Sequence, residues 1–127
     1  MGRADAFTWI RTHTPVNTVV EANPDAVAYF YGLYAERPAL AIGGECDGYS
    51  GRTFDCYTLK RAMRPLFNGE ASLRDFAEAC RDLPLDLLVV TDGDAIWHKK
   101  DSWILHYRPI FYNEFSAVFA CRPQNFP

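Results

Sequence analysis

The most apolar stretch of the chain lies between Asp86 and Asp92. Its centre is the sequence LLVV, which no polar residue interrupts, with Pro84 before it and Gly93 after it. A continuous apolar run of this length, bounded by turn residues, predicts a strand that is buried on both faces, as in a parallel sheet covered by helices. We expect the rest of the chain to be organised around this strand.

Apolar residues recur at helical spacing in four other segments, around residues 4–12, 24–37, 59–66 and 73–83. Such periodicity is typical of helices that bury one face. Pro65 and Asn68-Gly69 are expected to end the third helix. The fourth helix has a local start signal, because Ser72 is followed three residues later by Asp75, which approximates a capping box.

Other apolar runs predict further strands at residues 18–22, 39–42, 110–113 and 117–122, with a tight turn at 114–116 between the last two. Residues 43–54 form a predicted Gly-rich loop, and residues 95–105 form either a short helix or an irregular crossover. The alternation predicts a layered α/β fold, with a mainly parallel sheet, flanking helices and a C-terminal antiparallel hairpin. Residues 4–123 are expected to form a single domain.

Composition and charge argue against some functions. The 127 residues carry a formal net charge of −3, and the longest basic run is HKK at residues 98–100. Nothing in this distribution predicts binding to nucleic acid. No apolar segment approaches the roughly 18–20 residues needed to span a bilayer, so the chain is expected to be soluble.

The four cysteines contain no CxxC pair, which argues against a structural zinc site. Cys80 falls on the apolar face of a predicted helix and Cys121 in a predicted strand, so both are expected to be buried free thiols. Cys46 and Cys56 flank the Gly-rich loop and are the disulfide candidates, provided that the compartment is oxidising.

The sharpest local motif is Asp92-Gly93-Asp94, directly after the central strand. Paired acids at the carboxyl end of a strand can hold a divalent cation against diphosphate oxygens, as in the DxD motif of nucleotide-sugar glycosyltransferases. The alternative is a simple turn that leaves the strand, because Asp and Gly are turn residues. No histidine pair has metal-ligand spacing, and no metal site is predicted elsewhere.

Aromatic residues are concentrated in the C-terminal third, where Trp97, Trp103, Tyr107 and Tyr112 occur. Aromatic platforms stack on sugar rings, so these residues could form a carbohydrate surface. The alternative is core packing or burial against a neighbouring domain. Candidate ligand-binding residues are therefore Asp92, Asp94, Trp97, Trp103 and Tyr112, and no catalytic constellation is predicted.

Two stretches resemble the ends of a known kind of domain. WIR at residues 9–11, TP at 14–15 and the strand at 18–22 are similar to the pattern W-I-R-x-x-T-P-x-(x)-A/T-V. YN at residues 112–113 and VFACR at 118–122 are similar to Y-x-N-x-x-x-x-V-(Y/F)-x-x-R, and ERP at 36–38 fits a G/E-R-P step. The chain thus loosely resembles the C-terminal extracytoplasmic (periplasmic) domain of bacterial GT-C-type membrane glycosyltransferase-like proteins.

The resemblance implies an extracytoplasmic domain that is not catalytic by itself, because the family's catalytic acids lie in loops between transmembrane helices. Its partners would be the transmembrane part of the same polypeptide and a glycan or lipid-linked sugar, with no cofactor in this domain. The Gly-rich insertion with Cys46 and Cys56 departs from the family's pattern. Two alternatives stay open. One is a stand-alone α/β enzyme or metal-dependent sugar-phosphate binder using Asp92 and Asp94, and the other is a scaffold or dimerisation module.

Overall fold

A computed structural model of the chain describes residues 2–23 and 56–126, with side chains described for 5–23 and 61–126. The helices in this part are α1 (Gly2–His13), α2 (Cys56–Asn68) and α3 (Leu73–Asp82). The strands are β1 (Val20–Glu21), β2 (Leu87–Thr91), β3 (Phe111–Tyr112) and β4 (Ser116–Ala120). Short 3-10 turns occupy Ala95–His98, Trp103–Leu105 and Pro123–Asn125. Mixed α/β content is therefore confirmed.

The described strands form one sheet in the order β1-β2-β4-β3. Only β1 and β2 pair in parallel, whereas β2 with β4 and β3 with β4 are antiparallel. The prediction of a mainly parallel sheet is therefore wrong for the described strands, while the C-terminal hairpin is confirmed. Burial on both faces misled the prediction, because helices can cover an antiparallel strand as completely as a parallel one.

The central strand β2 is buried as predicted, and its side chains alternate between two apolar clusters. Leu88 and Val90 belong to the cluster that contains α2 and α3 residues. Leu87 and Val89 belong to the cluster that contains α1 residues. This alternation follows from the period of two in a strand, so β2 separates two halves of the core.

Helix α1 confirms the first predicted helix. Ala6, Phe7 and Ile10 are buried at helical spacing, and the helix packs against β3 and β4. The N-terminal segment is thereby joined to the C-terminal hairpin, although more than 90 residues separate them in sequence.

Helix α2 confirms the third predicted helix and its end at Asn68-Gly69, but not an end at Pro65. The helix continues through Pro65 to Asn68. Because proline has no backbone N–H, the helix lacks one of its backbone hydrogen bonds at this residue. Gly69 then takes a positive φ of 91°, a conformation that glycine adopts without steric cost.

Helix α3 begins at the predicted capping box. The Ser72 hydroxyl accepts a hydrogen bond from the Asp75 amide at 3.2 Å, and the Asp75 carboxylate accepts one from the Ser72 amide at 2.8 Å. Two amides that the helix leaves without intrahelical partners are thereby bound.

The expectation of free thiols at Cys80 and Cys121 is wrong. These residues form a disulfide with a Cα–Cα distance of 5.2 Å, which joins the last turn of α3 to the residue after β4. Their separation of 41 residues hides this proximity in the sequence. The candidate pair Cys46 and Cys56 lies outside the described side chains.

Three other predictions also lie outside the described residues: the helix at 24–37, the strand at 39–42 and the loop at 43–54. Residues 95–105 are described, and their two 3-10 turns match the irregular-crossover alternative. Among the described helices, none has the length and apolar character required to cross a membrane.

Candidate functional site

An open cleft of about 650 Å³ lies where α1 meets the approach to β3 and the residues after β4. Its apolar and aromatic lining comes from Trp9, Tyr107, Pro109, Ile110, Pro123 and Phe126. His106 and Arg108 supply its cationic or hydrogen-bonding groups. An aromatic lining with a few placed polar groups is the usual composition of a small-molecule site.

Trp9 is held on the cleft wall by contacts on two sides. Its ring stacks on His13 at 4.9 Å with an interplanar angle of 8°, and tilts against Phe111 at 5.6 Å. His13 Nδ1 also lies 3.0 Å from the Trp9 carbonyl oxygen, one helical turn away. The indole is half-buried, so part of it remains available to a ligand.

Tyr107 connects the cleft to the core. Its hydroxyl donates a hydrogen bond of 2.6 Å to the Ala120 carbonyl, at the end of β4. Its ring makes edge contacts with Phe76, Trp103 and Phe119. Burial raises the pKa of the Tyr107 hydroxyl, so the hydroxyl keeps the proton that it donates to Ala120 to a higher pH than an exposed tyrosine would.

The polar side chains of the cleft are exposed. Arg108 and His106 reach solvent, and no carboxylate is among the eight lining residues. The cleft can therefore pack an apolar ring against the exposed part of Trp9 and offer guanidinium and imidazole donors to polar groups of the same ligand.

The acidic motif lies at the opposite end of the sheet. The cleft lies near the start of β3 and the end of β4. The Asp92 amide donates to the Phe115 carbonyl at 2.8 Å, beside the turn that joins those two strands. The two candidate regions are thus separated by the length of the hairpin.

Asp94 stabilises the turn after β2. It is only 4% exposed, and its two oxygens accept hydrogen bonds from Asn23 Nδ2 at 2.9 Å and the Thr91 amide at 2.8 Å. The Asp92 carbonyl lies 2.9 Å from His98 Nε2. This geometry favours the turn interpretation of the motif, since both Asp94 oxygens already have donors. Within the described residues, no group of three or more His, Cys, Asp and Glu residues is placed to hold a metal ion.

The three aromatic candidates lie in different environments. Trp103 is 1% exposed, stacks on Phe76 at 4.3 Å and donates from Nε1 to the Leu66 carbonyl at 3.0 Å. It is therefore a core residue, as the packing alternative expects. Trp97 is half-buried against the same cluster, and Tyr112 is 70% exposed on β3. The structure does not bring the candidates together into one site.

Sequence reasoning did not select Trp9, His106, Arg108 or Phe126 as site residues. Trp9 was named only as part of the N-terminal pattern, and Phe126 lies just beyond the C-terminal one. Their proximity depends on the packing of α1 against the hairpin, which no local signal encodes.

Comparisons of the chain with models of known protein families, with curated proteins and with solved structures found no match.

Proposed function

We propose that the chain is an extracytoplasmic, carbohydrate-recognising domain of a multi-spanning membrane glycosyltransferase-like protein, and that the cleft beside Trp9 is its sugar-binding site. The domain binds a glycan or a lipid-linked sugar and leaves the chemistry to the transmembrane part of the same polypeptide. It lies at the periplasmic face of the bacterial inner membrane.

The observation that carries the proposal is the lining of the cleft. The apolar faces of sugar rings pack on aromatic rings, while their hydroxyl groups need hydrogen-bond donors and acceptors close by. Trp9 and Phe126 offer aromatic rings, and Arg108 and His106 offer hydrogen-bonding groups. Tyr107 fixes one wall by its bond to β4, so little ordering is required when a ligand binds.

The disulfide supports the proposed location. Disulfides persist in oxidising compartments such as the bacterial periplasm and are rare in the cytosol, where thiols are kept reduced. The bond between Cys80 and Cys121 joins two elements of the core, as expected of a structural disulfide.

The two stretches that resemble the glycosyltransferase-like domains also meet at this cleft. Trp9 comes from the N-terminal pattern and contacts Phe111, which directly precedes the C-terminal pattern. Pro123 and Phe126 follow that pattern and line the same cleft. The resemblance and the cleft therefore point to the same surface.

Titration with a panel of soluble oligosaccharides from bacterial envelope polysaccharides tests the sugar site. Trp9→Ala removes the stacking platform, and the affinity for any bound sugar should fall about thirty-fold or more, as for a central aromatic anchor. Tyr112→Ala is the matched control. Tyr112 is an exposed aromatic residue next to Phe111 in sequence, and the alternation of side chains along β3 places it on the face of the strand opposite to Phe111. Equal loss in both variants, or no binding of any sugar, argues against this site.

The native gene tests the membrane part of the proposal separately. The codons upstream of Asp5 should encode several apolar segments of about 20 residues each, as a multi-spanning protein requires. A gene that encodes no such segments would remove the membrane partner from the proposal and leave the sugar site to be judged by titration.

A further inference from the structure

We infer that the cleft selects sugars that carry an anionic group, a carboxylate or a phosphate, and that Arg108 is the residue that binds this group. The inference rests on the proposed sugar site and names the class of sugar that it takes. It concerns specificity, so it can fail while the sugar site itself stands.

The charge of the cleft differs from that of the molecule. The chain carries a net charge of −3, yet the cleft lining contains Arg108 and His106 and no acidic residue. An anionic ligand that approaches this surface meets a positive group that no carboxylate of the lining neutralises. Local charge of this kind raises the concentration of ligands of the opposite sign.

Arg108 is available to a ligand in a way that several other arginines are not. Arg74, Arg81 and Arg122 each form an ion pair with a carboxylate of the chain. Arg108 forms no ion pair and no side-chain hydrogen bond with residues 5–23 or 61–126. Its guanidinium presents a planar set of donors that matches a carboxylate or phosphate with two parallel hydrogen bonds.

The backbone on both sides of Arg108 is fixed. Tyr107 is bound to β4 through its hydroxyl, and Pro109 restricts the backbone that follows. The Ile110 amide then donates to the Val118 carbonyl at 2.8 Å. The Arg108 Cα is thereby held at the rim of the cleft, so that only the side chain must be ordered when the anion binds.

A comparison of matched sugars tests the inference. The probes are a glucuronic-acid disaccharide, the glucose disaccharide of the same linkage, and a glucose phosphate, each titrated into the folded chain. The wild type should bind at least one of the anionic probes about ten-fold more tightly than the neutral disaccharide, as expected for a charge-assisted hydrogen bond. The anionic probe that binds more tightly identifies the preferred anion. The preference for the anionic over the neutral sugar should shrink as the salt concentration is raised from about 0.05 to about 0.5 M, because salt screens the attraction between charges.

Arg108→Gln, which keeps an amide donor at this position, should weaken binding of the acidic sugar much more than binding of the neutral sugar and so bring the two to similar affinities. Arg81→Gln is the matched control, because it removes the same charge from an exposed position on α3, and it should leave the preference intact. Equal binding of acidic and neutral sugars by the wild type, or a preference that survives in Arg108→Gln, overturns the inference and leaves the sugar site standing. Binding of none of the three probes, in a protein that also binds none of the oligosaccharide panel, overturns both proposals.

Discussion

Single side chains connect the elements of this domain by bonding to backbone carbonyls across the fold. Trp103 donates to Leu66 at the end of α2, and Tyr107 donates to Ala120 at the end of β4. Arg122 reaches the carbonyls of Cys80 and Leu85 at 3.3 and 3.2 Å. Each bond joins segments that are at least 13 residues apart. Tyr107 therefore fixes one wall of the cleft to β4, while Trp103 and Arg122 join other segments of the fold to α2 and α3.

Tyr107→Phe tests this role and its dependence on pH. Below pH 10 the variant should be less stable than the wild type by about 1 kcal/mol, the net value of one hydrogen bond. An unfolded tyrosine ionises near pH 10, whereas burial raises the pKa of Tyr107 in the folded protein. Above pH 10 the unfolded wild type therefore loses a proton that the folded wild type keeps, which favours unfolding.

The difference in unfolding free energy between the wild type and Tyr107→Phe should consequently narrow as pH rises above 10. Urea unfolding of both proteins at pH 8, 10 and 11 measures this difference. The other tyrosines are common to both proteins, so their ionisation cancels in the comparison. A difference in unfolding free energy that stays constant or widens over this range would contradict a raised pKa of the Tyr107 hydroxyl in the folded protein.

Helices and strands with a local signal could be predicted from the sequence. Helix α3 has its capping box at Ser72 and Asp75, and β2 has its uninterrupted apolar run. The direction of strand pairing could not be predicted, because the apolar run of β2 encodes burial but not the direction of its neighbours. The link between Cys80 and Cys121 was missed for a related reason, since the distance between their Cα atoms depends on how α3 packs on β4.

The capping box provides a test at the level of one helix. Ser72→Ala removes the acceptor for the Asp75 amide and should lower the free energy of unfolding by about 1 kcal/mol. Ser72→Asn, which also caps well, should restore most of this loss. Thermal unfolding of the three proteins measures the effect. Equal melting temperatures for Ser72→Ala and the wild type would mean that the cap adds nothing to the stability of α3.

The disulfide provides a larger test between two elements. The double variant Cys80→Ala/Cys121→Ala opens a loop whose ends are 41 residues apart, and chain entropy predicts a loss of about 4 kcal/mol. Such a loss is a large share of the 5–15 kcal/mol that typically stabilises a domain. Urea unfolding in the absence of reductant measures it, with Cys46 and Cys56 left unchanged. An unchanged midpoint would show that this bond does not support the fold.

At the scale of the whole molecule, the candidate site lies where the two ends of the described chain meet. The sequence directed attention to Asp92, Asp94, Trp97, Trp103 and Tyr112, because these are close together along the chain. The fold keeps Trp97 beside the acidic turn but places Trp103 in the core and Tyr112 on the exposed edge strand. It assembles a cleft from Trp9 and residues 106–126 instead. A site that depends on contacts between distant segments leaves little trace in the spacing of its residues.

The three tryptophans of the chain allow the most direct test of the proposed site, because each lies in a different place. Trp9 lines the cleft, Trp97 follows the acidic turn and Trp103 is in the core. The indole N–H signals can be resolved in an NMR spectrum of the ¹⁵N-labelled protein, and Trp9→Phe assigns the first of them. Addition of the sugar that binds most tightly should shift the Trp9 signal and leave the Trp103 signal in place. A shift at Trp97 alone, or saturating sugar that leaves the Trp9 signal unmoved, would contradict the assignment of the cleft as the sugar site.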